Sequence, residues 1–154
     1  MGPGPPAQLP IGLRLARTAR AVTQRFERAM DEAGGSASTW QVLLLVRSKN
    51  WDTQSSLAEA MGVTSATLTH HLSALEDGGL VRRWREPDNR RVQRVELTPE
   101  GLAMFNTLRR VAVSHDRRLR SVLGEEGSEQ LADLLDRLRD GLVAPTAAPL
   151  AHSA

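Results

Sequence analysis

"LAEAMGVTSATLTHHLSAL", residues 57–75, reads as two short helices and the turn that joins them. Ala58 is small where the helices must approach each other. Gly62 can take the positive φ of a tight turn, and Val63 fills the gap behind it. Thr64 is an N-cap for the second helix. Leu68, Leu72 and Leu75 then recur at helical spacing and hold that helix to a core. Helices meeting at a glycine-containing turn also occur in proteins that never touch nucleic acid, so the neighbouring segments must decide.

On the amino-terminal side, Thr53 or Asp52 caps the first of the two helices, and on the carboxyl side Gly78 and Gly79 close the second. "LVRRW" (80–84) and "RVQRVELT" (91–98) follow, each with β-branched residues in rough alternation, and Pro87 and Asn89 supply turn chemistry between them. This predicts a hairpin. A two-stranded hairpin is marginal alone, so it must pack on the helices before it. Two helices and a packed hairpin make a winged helix-turn-helix.

The flanks are helical. Ile11, Leu15, Val22, Phe26 and Met30 mark one apolar stripe on a helix over about 10–32. "GGSAS" breaks it, with Ser38 as N-cap of a helix over 39–48 whose "WQVLLLV" is apolar nearly all round and is expected to be buried. In "TPEG", Thr98 caps a helix running to about 123 and Pro99 takes its first position. Leu102, Phe105, Leu108, Ala112 and Leu119 form its stripe. After Gly124 a last helix carries Leu131, Leu134, Leu135, Leu138 and Leu142. The proline- and glycine-rich residues 1–8 and the segment 144–154 read as disordered tails. The expected fold class is mainly α with a small β-hairpin wing: one domain over 9–143, with a winged helix-turn-helix over about 38–98 between helices 10–32 and 99–143.

Composition excludes several functions. The 154 residues suffice for one domain with a proper core, resting on Leu, Val and Ala because aromatics are only 3%. Without cysteine there is no disulfide, thiolate metal site or thiol redox sensor. The four histidines, His70, His71, His115 and His152, include no i, i+4 pair, so no metal or cofactor is expected. There is no Gly-x-Ser-x-Gly elbow and no phosphate-binding glycine loop, and His115 and Asp116 are helix neighbours that point apart, so an enzyme is not expected. No apolar run approaches the ~20 residues of a membrane span and the start lacks a signal-peptide pattern; a cytoplasmic protein is expected.

Charge is distributed unevenly around the near-neutral total of +2. From Asp52 to Gly79 there is no Lys or Arg, and Asp52, Glu59, Glu76 and Asp77 leave that segment at −4. From Val81 to Thr98 six arginines oppose Glu86, Asp88 and Glu96, a net of +3. With Leu68, Leu72 and Leu75 inward, Ala66, Thr67, His70 and Ser73 point outward, where a major groove would lie. Ser65 and the first-turn amides would meet a phosphate, while His71 falls at the edge of the core stripe. Phosphate attraction dominates DNA affinity, so the hairpin arginines must supply it, with Arg47 and Lys49 adding backbone contacts. The competing reading is a protein-interaction module on the same fold without DNA binding, for which the uncharged recognition segment speaks.

"TQSSLAEAMGVTSATLTHHLSALEDGGLVRRW" and "DNRRVQRVELTPEG" together resemble the MarR family of bacterial transcriptional regulators. "LE-x-x-GL-V" leading into a basic wing and then "LTPEG" is quite specific to that family, and the resemblance covers nearly all of 10–143. It implies a repressor that binds double-stranded DNA at a palindromic operator as a homodimer. Its terminal helices would interlock, its recognition helix would enter the major groove, and its wing tip would reach the minor groove. The family wing carries Asp-x-Arg, which Asp88, Asn89 and Arg90 match literally. Family spacing back from Thr98 selects Arg91 instead, with Asn89 in the Asp position. The resemblance also implies a small-molecule effector, often a phenolic carboxylate, for which Arg14 or Arg17 would hold the carboxylate and Trp40 would wall the ring.

Overall fold

The computed structural model describes residues 9–48 and 53–143. The two expected tails, and with them Lys49 and Asp52, lie outside the described residues. The elements in chain order are α1 (Ile11–Glu32), α2 (Ala37–Ser48), α3 (Gln54–Met61), α4 (Ser65–Asp77), β1 (Val81–Arg85), β2 (Gln93–Leu97) and α5 (Pro99–Val143). They fall into two compact units, the first ending at Val113 and the second beginning at Ser114.

In the first unit Met30, Val42, Leu43, Leu68, Leu72 and Leu108 are fully buried, joined by Leu57, Ala58, Leu75, Val81 and Phe105. This core lies where α2, α3 and α4 meet, and the hairpin closes it. Thr53 caps α3, its hydroxyl accepting from the Ser56 N–H, and Thr64 caps α4 by accepting from Thr67. Gly62 between them has φ 66°, a left-handed conformation that costs a residue with a Cβ about 1–2 kcal/mol. Its N–H and that of Val63 bond back to Glu59 and Ala58 carbonyls. Leu68, Leu72 and Leu75 are buried as their spacing requires.

Two expectations, both on α2, need correction. The cap of α2 is Ser36, whose Oγ accepts from the Thr39 N–H at 3.0 Å, rather than Ser38; α2 accordingly starts at Ala37. Not all of α2 is buried: Leu44 is 41% exposed, because Gln41, Leu44, Arg47 and Ser48 form the one strip that α1, α3, α4 and β2 leave uncovered. The stripe on α1 is buried only at its end: Met30 is inaccessible and Val22 and Phe26 half-buried, whereas Ile11 is 81% exposed.

β1 and β2 pair antiparallel with Val81 opposite Leu97, Arg82 opposite Glu96 and Arg83 opposite Val95. Val81 enters the core. The base of the hairpin is fastened to α5 through "LTPEG". The Thr98 N–H donates to the Leu80 carbonyl at 3.1 Å and its hydroxyl to the Gly79 carbonyl. The same hydroxyl oxygen accepts from the Gly101 N–H and caps α5. Gly101 must be glycine for space: a Cβ there would stand 1.8 Å from the Leu80 oxygen. Helical geometry in α5 is interrupted at Gly124, φ 74° and ψ 174°, where the sequence reading separates two helices.

In the second unit the helix beyond Gly124 leaves Leu131, Leu134, Leu135, Leu138 and Leu142 exposed. Arg120–Asp116 and Arg137–Asp133 are ion pairs one helical turn apart. Among the described residues no helix is long and apolar enough to cross a membrane.

Gly101→Ala should destabilise the first unit by about 1–3 kcal/mol, the usual cost of forcing a methyl into closed space. The gain in helix propensity from Ala, roughly 1 kcal/mol, does not offset a clash with a fixed backbone carbonyl. Urea unfolding followed by circular dichroism reads the shift in midpoint.

Candidate nucleic-acid interface

The outer face of α4 and the hairpin beside it form one continuous candidate site. Ser65, Ala66, Thr67 and His70 are exposed, on the side of α4 away from Leu68, Leu72 and Leu75. Thr69 is exposed as well; 100° per residue places it about 60° from Ala66, at the margin of the outer face. The N–H groups of Ser65 and Ala66 have no partner among the described residues, since Thr64 satisfies those of Thr67 and Leu68. Two free amides at a helix N-terminus suit an anion. His71 is half-buried against Val42 and Leu75 in a small cleft with Ser36, Ser38 and Thr39, the edge position expected of it.

Ser73 is placed differently from the expectation. It is half-buried, and its Oγ accepts from an Arg83 Nη2–H at 3.1 Å. Arg83 lies over this end of α4 with its side chain only 14% exposed. Its guanidinium grips Glu76 through Nε at 2.9 Å and Nη2 at 2.7 Å, and its backbone N–H donates to the other Glu76 oxygen at 3.2 Å. The hydrogen bonds from the Arg83 side chain hold the Glu76 carboxyl below its ordinary value of 4.5, against the opposing effect of desolvation. Paired charge-assisted bonds of this kind fix direction as well as distance, so β1 is bolted to α4.

The pairing sorts the six arginines. Arg82 pairs with Glu96 across the strands and lies 5.1 Å over the Trp84 ring. Arg83 is taken by Glu76, and Arg94 by Glu86 at 2.6 Å. Arg85 has no carboxylate partner among the described residues; one Nη1–H donates to the Arg90 carbonyl at 3.1 Å. Arg90 and Arg91 are exposed, and their side chains make no hydrogen bond or ion pair among the described residues. The whole-hairpin balance of +3 is thus divided: Arg82, Arg83 and Arg94 are neutralised in pairs along the strands, and the guanidinium groups of Arg85, Arg90 and Arg91 stand without a carboxylate at the tip end.

The tip itself is ordered by its backbone. The Val92 N–H donates to the Asn89 carbonyl at 2.9 Å and the Glu86 N–H to the Val92 carbonyl at 3.1 Å. Asn89 Oδ1 accepts from the Arg91 backbone N–H at 3.2 Å. Asn89 therefore shapes the turn that carries Arg91 and does not hold the guanidinium. Asp88 is exposed and bonded to neither Arg90 nor Arg91.

The candidate effector residues are apart from this site. Arg14 and Arg17 are exposed on α1. Trp40 is half-buried on α2 and stacks on Phe105 with ring centroids 5.4 Å apart. One face of its ring is therefore covered within the protein.

A family model described as "MarR family" matches residues 36–92. The chain belongs to the MarR family. The match runs from the Ser36 cap through the helix-turn-helix to the end of the wing tip. Among curated MarR-type relatives, the HTH-type transcriptional regulator PecS of Dickeya dadantii is 27% identical over 84% of this chain and 80% of its own length. Among solved structures, the transcriptional repressor CouR bound to a 23-mer DNA duplex is 26% identical, with TM-score 0.77 over 84% of this chain and 92% of that one. The transcriptional regulator PA3341 is 30% identical, with TM-score 0.71 over 85% of this chain and 96% of that one.

Glu76→Gln should keep the fold but loosen the wing. The folded-state pKa of Glu76 lies below its unfolded value, so the stabilisation is fully present above about pH 4.5 and is lost as pH falls through the depressed folded value. The stability difference between wild type and Glu76→Gln should accordingly narrow as pH drops below about 4.5 and be gone once pH has passed the depressed folded value. Urea midpoints measured on both sides of it check the sign; a difference independent of pH would contradict the assignment.

Proposed function

We propose that this chain is a dimeric, sequence-specific regulator of transcription that binds double-stranded DNA as a repressor and is released by a small-molecule effector. The observation that carries the reading is the pair of uncompensated arginines, Arg90 and Arg91, at the tip of a wing bolted to a helix whose outer face is free of charge. Guanidinium groups presented on a narrow ribbon suit a minor groove, where a run of A·T pairs concentrates negative potential. The exposed face of α4 is then left for the major groove, and the free amides of Ser65 and Ala66 for a backbone phosphate. Family membership and likeness to a repressor seen on a DNA duplex support the same reading.

Within this proposal Ser65, Ala66, Thr67 and His70 are the α4 contacts, and Arg90 and Arg91 enter the minor groove. Asp88 flanks them, and Asn89 shapes their turn. Ser73 serves through Arg83. The alternative of an interaction module rests on the uncharged recognition segment, and Arg90 and Arg91 on the adjoining wing supply the cationic charge which that segment lacks.

Exposed apolar residues support the dimer. Ile11, Leu13 and Leu15 on α1 are open in a single chain, as is the leucine stripe 131–142 in the second unit. A second copy of the chain is the proposed cover, on a palindromic operator. For the effector, CouR has also been seen bound to p-coumaroyl-CoA, at 25% identity and TM-score 0.72 over 84% of this chain and 91% of that one. Arg14 and Arg17 remain the proposed carboxylate-holding groups and Trp40 the proposed aromatic wall. An effector acts by preferring a dimer whose recognition helices are wrongly spaced for DNA. A cytoplasmic site of action accords with this role.

The test uses the full chain and the DNA upstream of its own gene. Arg90→Ala combined with Arg91→Ala should weaken binding at least about fivefold, the lower end for losing one specific contact, while the mass in solution stays that of a dimer. Absence of any protected segment at low salt would end the repressor reading, and unchanged affinity in the double variant would end the wing assignment.

A further inference from the structure

We propose that α4 selects its operator through thymine methyl groups, and that hydrogen bonding to base edges contributes little to its sequence choice. This rests on the DNA-binding reading above and specifies which duplexes it applies to.

The argument starts from what the exposed face of α4 has left to offer. It carries no Arg, Lys, Asn or Gln, so it lacks the forks that recognise guanine or adenine by paired hydrogen bonds. Its hydroxyls are largely committed within the protein. Thr69 Oγ1 donates to the Ser65 carbonyl at 2.8 Å and accepts from Gln54 Nε2 at 2.6 Å. Thr67 Oγ1 is hydrogen-bonded to Thr64 Oγ1 at 2.9 Å. Ser73 Oγ accepts from Arg83.

With those hydroxyls occupied, Ala66, Thr67 and Thr69 meet the groove chiefly as methyl groups. The thymine C5-methyl is the apolar group that base pairs present in the major groove. The remaining side-chain donors are His70 and the Ser65 hydroxyl, and Ser65 stands in the first turn, where a backbone phosphate would lie. A single imidazole N–H can bond to purine N7, to guanine O6 or to thymine O4, so it does not by itself single out one base. Discrimination therefore falls on thymine.

The wing points the same way: narrow A·T tracts favour the insertion of Arg90 and Arg91. The expected half-site has thymines in its major-groove segment and A·T pairs in the flanking minor groove.

The experiment selects a duplex from a random pool with the full chain and then replaces each thymine in turn by deoxyuridine. The replacement deletes the C5-methyl and leaves pairing intact. At one or more positions in each half-site it should weaken binding about three- to fivefold, the cost of leaving one methyl-sized group unburied. The penalty at a given thymine should shrink in Thr67→Ser, Thr69→Ser or Ala66→Gly, whichever side chain meets it. Thr→Ser keeps the hydroxyl and its bonds, and circular dichroism confirms that each variant is folded.

Deoxyuridine duplexes that bind within twofold of the parent at every position would overturn the proposal. So would a penalty that persists equally in all three variants, which would place the effect in DNA stiffness. If the pool yields no duplex, the DNA-binding reading itself fails, an outcome distinct from the other two.

Discussion

The wing depends on how its base is held. A ribbon of two five-residue strands has too little core to stand alone, and here three fastenings supply what it lacks. Val81 is buried with the helices, Arg83 is clamped on Glu76 of α4, and the Thr98 clasp joins the ribbon to α5 over Gly101. With the base fixed, the tip projects from a defined place beside the outer face of α4. Without that fixation, Arg90 and Arg91 would be charges on a loosely held loop, and their ordering on DNA would cost conformational entropy.

The same fastening resolves how a chain of net charge +2 can attract a polyanion. Three of the six arginines are spent on carboxylates within the protein, and the pair between Arg83 and Glu76 also cancels a negative charge on α4 that would repel phosphate. What is left uncompensated lies towards the far end of the ribbon. The number of arginines thus overstates the charge available to DNA, and their placement concentrates it. In the proposed complex, a neutral α4 face beside a cationic tip would separate attraction, supplied by the wing, from the reading of bases, supplied by α4.

Much of this was legible in the sequence wherever the cause is short-range. Thr53, Thr64 and Thr98 cap the helices they precede, Gly62 takes the turn, and Leu68, Leu72 and Leu75 face the core, because caps and helical periodicity act within a few residues. Partnerships between elements were not legible. Arg82 meets Glu96 fourteen residues away through the strand register, and Arg83 meets Glu76 seven residues back because β1 turns onto α4. Neither follows from spacing alone, and without them six arginines look equally available. Ser73 was read as outward for the same reason: helical angle places it on the outer face, and only the packing of β1 reveals that Arg83 covers it. Thr69 lies about 90° from the centre of the outer face by helical angle, a margin position whose exposure spacing alone does not decide. The exposed start of α1 and the leucine stripe beyond Gly124 read identically in sequence to core-facing stripes, since periodicity reports an apolar face and not what covers it.

The division of the six arginines is the claim on which the rest turns, and the salt dependence of DNA binding measures it most directly. Each phosphate neutralised contributes about −0.9 to the slope of log K against log salt. Single Arg→Ala variants at all six positions, each titrated against one selected duplex, should separate into two groups. Replacing Arg85, Arg90 or Arg91 should flatten the slope. Replacing Arg82, Arg83 or Arg94 should leave it near the wild-type value, with any loss at Arg83 appearing as lowered stability. Equal flattening by all six, or a slope untouched by Arg90 and Arg91, would contradict this account.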